Sequence, residues 1–237
     1  MKKSDSESEF LKSKKDVAPP PVEVVDVDRR LKTWFPDLSP ATIARLATYH
    51  SELLRFNKTI NLISSTTVRN ADSVHIGDAV LAAKFITPSL RPGQPLYDFG
   101  SGNGCPGIIY AALNTAQRVI LVDRDERKME FCKHVASAMK LENVSTLIKG
   151  VEDLPPASVT NAVSRGFAPF SRALLICRKQ FPKGGRFFHM KSDGWANELA
   201  QLPSQVFTHW NPNLLGQYRL PETTTDMFVV MTEKTSD

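Results

Sequence analysis

Apolar positions follow two rhythms along this chain, and the rhythms alternate in order. Short runs at Leu96–Phe99, Val119–Val122, Ser145–Ile148, Ala162–Ser164 and Arg186–Met190 have the length and content of buried strands. Between them lie stretches of helical period near Ile108–Leu113, Arg127–Lys140 and Ser171–Gln180; the middle one carries Phe131, Cys132, Val135 and Met139 on one face. Strands that alternate with helices predict a parallel, doubly wound α/β sheet, whose ligand sits beyond the carboxyl ends of the strands. Val206-Phe207 and Met227–Met231 predict two further strands at an edge, which brings the sheet to seven.

Upstream of Leu96 the period is helical. Ser39 ahead of Pro40 forms an N-cap and first-turn pair, and Ile43, Leu46, Ala47, His50, Leu53 and Leu54 recur at helical spacing to about Phe56. After a polar turn over Asn57–Ser64, a second helix carries Val74, Leu81, Ala82 and Phe85 inward until Pro88. His75 and Asp78 share one face of that helix. Residues 31–90 therefore read as an N-terminal helical extension and residues 91–237 as one catalytic domain. Residues 1–30, rich in Ser, Lys, Glu and Asp and then in Pro19–Pro21, have little to bury and read as a disordered tail.

Composition narrows the partners. Uncharged apolar runs fall well short of the ~18 residues that a spanning helix needs and the N-terminus is polar and mixed-charge, so a soluble, cytoplasmic protein is expected, and separately a monomer. Cys105, Cys132 and Cys177 are far apart, with no paired histidines beside them, and read as free thiols rather than metal ligands. The net charge of +5 lies wholly outside residues 1–30, which hold equal numbers of acids and bases. Positions 165 to 191 contain Arg165, Arg172, Arg178, Lys179, Lys183, Arg186 and Lys191 without one carboxylate, which suggests a polyanionic partner.

The chemistry concentrates between Leu96 and Gly107. A strand ends in an acid and passes at once into a turn with Gly100, Ser101, Gly102 and Gly104, and Gly107 follows near the start of a helix. Such glycines let the backbone take positive φ and approach a ligand, with helix N–H groups facing the same space. The spacing is G-x-G-x-G rather than the dinucleotide G-x-G-x-x-G, and Asp98 would repel a pyrophosphate. S-adenosylmethionine (SAM) fits better, because its ammonium group needs an acceptor. Asp98 reads as that acceptor or as a cap on the helix. Asp123 lies 23 positions beyond Gly100 at the end of the second strand, where an acid accepts both hydroxyls of an adenosine ribose. Glu152 is placed either to border the adenine or to neighbour a helix cap. Arg165 ends the fourth strand and points into the space shared by cofactor and substrate.

Several blocks in order resemble one family: Phe56-Asn57-Lys58 with Asn61-Leu62, His75-Ile76 with Asp78, Asp98 through Cys105-Pro106-Gly107-Ile108, Asp123, Ser164-Arg165-Gly166-Phe167-Ala168, and Gly185-Arg186-Phe187 with Lys191. They resemble the RsmG family, also called glucose-inhibited division protein B, over about residues 38–231. The resemblance implies a Rossmann-like class I SAM-dependent methyltransferase fold, SAM as cofactor, and guanine N7 of 16S ribosomal RNA, free or in the small-subunit particle, as target. Its cofactor contacts carry over to Gly100, Cys105, Val151, Glu152 and Arg165. The chain departs from the family pattern at Phe56 (usually Trp), Ala79 (Ser), Gly166 (Ala), Ser192 (Gly) and around Thr225-Asp226, where an arginine is usual.

Guanine N7 has a lone pair and no proton, so the expected catalytic work is orientation and electrostatics without a general base, assigned to Arg165 and Lys191. Asn57 and His75 are expected to line the base pocket, although His75 also reads as a structural partner of Asp78. Arg172, Lys179, Arg186 and Lys191 are expected to contact RNA. Two other readings compete. One is a methyltransferase acting on another RNA or on a small molecule, and the basic run argues against the small molecule; the other is a non-catalytic SAM- or RNA-binding assembly protein, against which the intact glycines and Asp123 argue.

Overall fold

The computed structural model describes residues 26–236. The first helix, α1, spans Val27–Trp34, with Asp26 as its cap and Val27 and Leu31 buried. The expected tail boundary at residue 30 therefore moves back, because those two apolar side chains join the core; residues 1–25 of the expected tail lie outside the described residues. Helix α2, Pro40–Phe56, starts where Ser39 accepts the Thr42 N–H, and it buries Ile43, Leu46, Tyr49, His50 and Leu53. Each such fully buried aliphatic side chain contributes about 1.5–3 kcal/mol.

The second predicted helix is not uniform. Asp72–Gly77 is a wide, π-type turn that leads into α3, Asp78–Ile86. Polar anchors hold it: Asp72 Oδ1 accepts the Ser73 N–H, and Ser73 Oγ donates to the Pro221 carbonyl at 2.6 Å. Wide turns of this kind often mark functional sites.

The sheet follows: β1 Leu96–Phe99, α4 Gly107–Leu113, β2 Val119–Asp123, α5 Glu126–Ala138, β3 Val144–Ile148, β4 Asn161–Arg165, α6 Phe170–Ile176, β5 Arg186–Ser192, α7 Trp195–Ala200, β6 Trp210–Arg219 and β7 Asp226–Lys234. Its strand order is β3-β2-β1-β4-β5-β7-β6. The first five strands are parallel, and β7 inserts antiparallel between β5 and β6. The order reverses between β1 and β4, so the carboxyl ends of those strands frame the ligand-binding crevice.

Side chains alternate across the sheet. Leu96, Leu121, Val163, Phe188 and Val229 pack under α1 to α5, while Phe99, Ile120, Val122, Ala162, Phe187 and Val230 pack under α6 and α7.

Two expectations need correction. Val206 and Phe207 lie in a 3-10 turn, Ser204–Thr208, and the strand begins only at Trp210. Pro212 and Gly216 dilute the alternation of β6, and an edge strand tolerates the proline because one side of its backbone pairs with no strand among the described residues. The helix expected over Ser171–Gln180 stops at Ile176, and Gln180 turns its amide onto the Glu152 and Leu154 carbonyls.

Candidate active site

The glycine turn sits at the carboxyl end of β1 and is stitched from below. Ser101 Oγ donates to the Asp98 carbonyl at 2.8 Å and accepts the Val122 N–H at 2.9 Å, so its side chain holds the turn. Gly100 has φ +67°, and a Cβ there would come within 2.8 Å of the Phe167 ring. A Cβ on Gly107 would stand 2.8 Å from Asp98 Oδ2. Both glycines are therefore required by close approach.

Asp98 is fully buried on the α4 side of the sheet. Its Oδ2 accepts the Gly107 N–H at 2.9 Å, and its Oδ1 has no hydrogen-bond partner among the described residues. Burial first, and the nearby Asp123 charge as well, push its pKa up to about 7 against the pull of the Gly107 N–H. The capping reading is thus realised, and one buried acceptor is left over beneath the turn.

Asp123 stands across from the turn at the end of β2. Its Oδ2 accepts the Gly102 N–H at 2.8 Å and its Oδ1 the Asp125 N–H at 3.0 Å. Gly100, Gly102, Asp123, Val151, Glu152 and Arg172 line one cleft of about 410 Å³. Glu152 pairs with Arg124 at the rim. A second hollow of about 390 Å³, between α5 and β3, gathers none of the candidate residues.

Arg165 ends β4 and reaches back under the N-terminal helices. Its Nε lies 2.8 Å from Asp78 Oδ2, and its Nη1 is 2.8 Å from His75 Nδ1 and 3.6 Å from Cys105 Sγ. A guanidinium only donates, so His75 Nδ1 accepts and its proton rests on Nε2. Burial, then the charges of Arg165 and His50, press the His75 pKa down to about 3, which keeps the ring neutral. Burial lifts the Cys105 thiol to about 12. Burial opposes the charge of Arg165 most strongly, but Asp78, Cys105 and Tyr49 together outweigh it and the guanidinium pKa moves up. His75, Asp78, Cys105 and Arg165 are thus brought together as one cluster.

Other candidates are not brought there. Arg165 pairs in register with Met190, so Lys191 faces the opposite side of the sheet. Its Nζ lies 3.0 Å from Glu198 and 4.4 Å from the centre of the Phe170 ring. Lys191 and Arg165 therefore do not act on one atom. Asn57 Oδ1 accepts the Leu62 and Ile63 N–H groups at 2.9 Å each, which holds the turn after α2. Arg186 starts β5, at the far end of the sheet from the crevice, and is bound to Glu233 and the Ser89 carbonyl. The exposed Lys179 lies beyond α6, and of the seven basic positions only Arg172 lines the cleft. The run is free of acids in sequence only: Asp78, Glu198 and Glu233 arrive from elsewhere to neutralise Arg165, Lys191 and Arg186.

Three contributors escaped the sequence reading. Tyr49 Oη donates from α2 to the Asn103 carbonyl at 3.1 Å, Asn103 Oδ1 accepts the Cys105 N–H at 3.0 Å, and Tyr218 Oη donates to Asp78 at 2.6 Å. Asn103 stands inside the quoted motif; Tyr49 and Tyr218 carry no local signal.

Residues 42–214 match the family described as rRNA small subunit methyltransferase G. The chain is 44% identical to ribosomal RNA small subunit methyltransferase G 3 of Bdellovibrio bacteriovorus, over 86% of this chain and 93% of that protein. It is 30% identical to ribosomal RNA small subunit methyltransferase G of Jannaschia sp., over 73% of this chain and 82% of that one. Among solved structures, a mutant of MtNAS in complex with S-adenosylmethionine superposes with a TM-score of 0.54, covering 81% of this chain and 72% of that one at 14% identity. The tRNA methyltransferase TrmI from Aquifex aeolicus gives a TM-score of 0.52, covering 67% and 69% at 14% identity. These two likenesses establish the Rossmann-like methyltransferase fold. With most of its length matched, the chain belongs to the rRNA small subunit methyltransferase G family.

Proposed function

We propose that this protein transfers a methyl group from SAM to N7 of a guanine in 16S ribosomal RNA, as a cytoplasmic monomer acting on free RNA or on the small-subunit particle. One observation carries the reading: a glycine turn, tied to Asp123 by the Gly102 N–H, lines with it a cleft of about 410 Å³ at the switch point of the sheet.

The residues present fit the cofactor. Gly100 and Gly102 leave the turn without side chains, and Asp98 Oδ1 is an unused acceptor beneath it. Asp123 would take the ribose hydroxyls while keeping the Gly102 N–H, and Val151 and Glu152 would flank the adenine. The bound cofactor supplies an electrophilic methyl on a positively charged sulfur. Asp98, Ser101, Gly104 and Cys105 fix the shape of the turn from beneath.

Target chemistry then sets what the protein must do. N7 of guanine needs no proton removed, and the cluster offers no base: His75 is neutral with its Nδ1 already engaged. Arg165 supplies fixed positive charge that orients the base. Arg172, at the rim of the cleft, meets phosphate. Calorimetry with SAM and a count of N7-methylguanosine in 16S RNA treated with the purified protein test this reading. Micromolar binding with one new N7-methyl supports it; binding without methylation leaves an assembly protein.

A further inference from the structure

Arg165 is held from two sides, and the hold extends one residue further than the site itself. Asp78 is fully buried and divides its oxygens: Oδ2 meets Arg165 Nε at 2.8 Å, and Oδ1 accepts the Tyr218 phenol at 2.6 Å. Tyr218 lies on β6, opposite Met227 of β7, and its ring stacks on Phe85 of α3 at 6.1 Å between centroids. Packing therefore fixes the phenol, and the phenol fixes the carboxylate. On the other side, His75 Nδ1 takes Nη1. No hydrogen bond among the described residues uses Nη2, and that nitrogen is not sealed from solvent.

We propose that Tyr218 is a positioning residue for Arg165, acting through Asp78 so that the guanidinium presents Nη2 alone to the reacting base. This role rests on the methyl-transfer reading of the cleft. Without the phenol, Asp78 Oδ1 would be buried and unpaired, the carboxylate could turn toward another donor, and the Nε contact would loosen. The groups facing Asp78 are Arg165 from β4 and Tyr218 from β6, with the Cys105 thiol of the glycine turn near enough to feel its charge. Burial raises the Asp78 pKa, and Arg165 and the Tyr218 hydrogen bond offset part of that rise. Loss of the phenol therefore moves the acid limb of the pH–rate profile upward.

Tyr218→Phe in the full chain tests this, with Asp78→Asn as a second variant. Each is measured for kcat, for KM toward SAM, and for the ¹⁵N signal of Arg165 Nε, assigned by its loss in Arg165→Lys. Expected for Tyr218→Phe are a roughly tenfold fall in kcat, a KM for SAM within about twofold of wild type, a higher acid limb and a broadened Nε signal. Wild-type kcat with an unmoved acid limb and an unchanged Nε signal overturns the role. If the wild-type protein methylates no guanine, the functional reading fails, and the Nε signal in Tyr218→Phe alone then decides the positioning.

Discussion

The Gly102 N–H donates to Asp123 Oδ2 at 2.8 Å, so the carboxylate expected to receive the ribose also holds the glycine turn in place. Replacing it removes both functions together. Asp123→Ala is expected to weaken SAM binding on the order of a hundredfold, and Asp123→Asn, which keeps one acceptor, roughly tenfold. Titration calorimetry separates the two; equal losses would mean that acceptor number does not matter there.

Gly102 itself has φ +53°, yet a Cβ would find its nearest neighbour, the Gly100 carbonyl oxygen, at an ordinary 3.8 Å. Space is not what excludes a side chain; conformation and charge are. Gly102→Asp sets a second carboxylate beside Asp123 and is expected to abolish measurable SAM binding, whereas Gly102→Asn, which tolerates positive φ, retains part of it. Equal behaviour of the two variants would remove the electrostatic half of that explanation.

Asp98 gives a pH dependence of stability. Its folded pKa is about 7, while an unfolded aspartate titrates near ~3.9. Between those values the folded state keeps a proton that the unfolded state has released, so stability falls as pH rises through roughly 4 to 7 and stays lower above. Asp98→Asn lacks this titration. Its melting temperature relative to wild type is expected to climb by several degrees between pH 4 and pH 8. A difference that stays constant over that range contradicts the buried-carboxylate account.

The basic run divides into two behaviours. Arg172→Ala is expected to weaken RNA binding and reduce the slope of log affinity against log salt by about one. Arg186→Ala leaves that slope alone and destabilises the protein by about 1 kcal/mol or more, because Glu233 and the Ser89 carbonyl lose a donor. A salt slope that drops for Arg186→Ala would return the far end of β5 to the RNA interface.

Local rhythm made the sheet legible. The inner parallel strands, the α2 cap at Ser39 and the glycine turn lie where short-range pattern puts them, because burial on both faces demands apolar runs and a tight turn demands glycine; the outer strand β3 lies there too, although none of its residues is fully buried. What failed were features decided across the sheet. Lys191 follows Met190 by one residue, and that single step of a strand sends it to the opposite face from Arg165. The acids that neutralise the basic run come from α3, α7 and β7, so no window of sequence could show them. Tyr218 was hidden for the same reason: it stands on an irregular edge strand, 140 positions from the aspartate it holds.

Guanine methylation is the most direct test of the whole account. Ribosomal RNA from cells lacking this protein, compared with wild type by mass spectrometry of nuclease digests, is expected to lose N7-methylguanosine at one position of 16S RNA. The purified protein with SAM should restore it on that RNA. An unchanged N7-methylguanosine profile in the deletion strain would contradict the assignment.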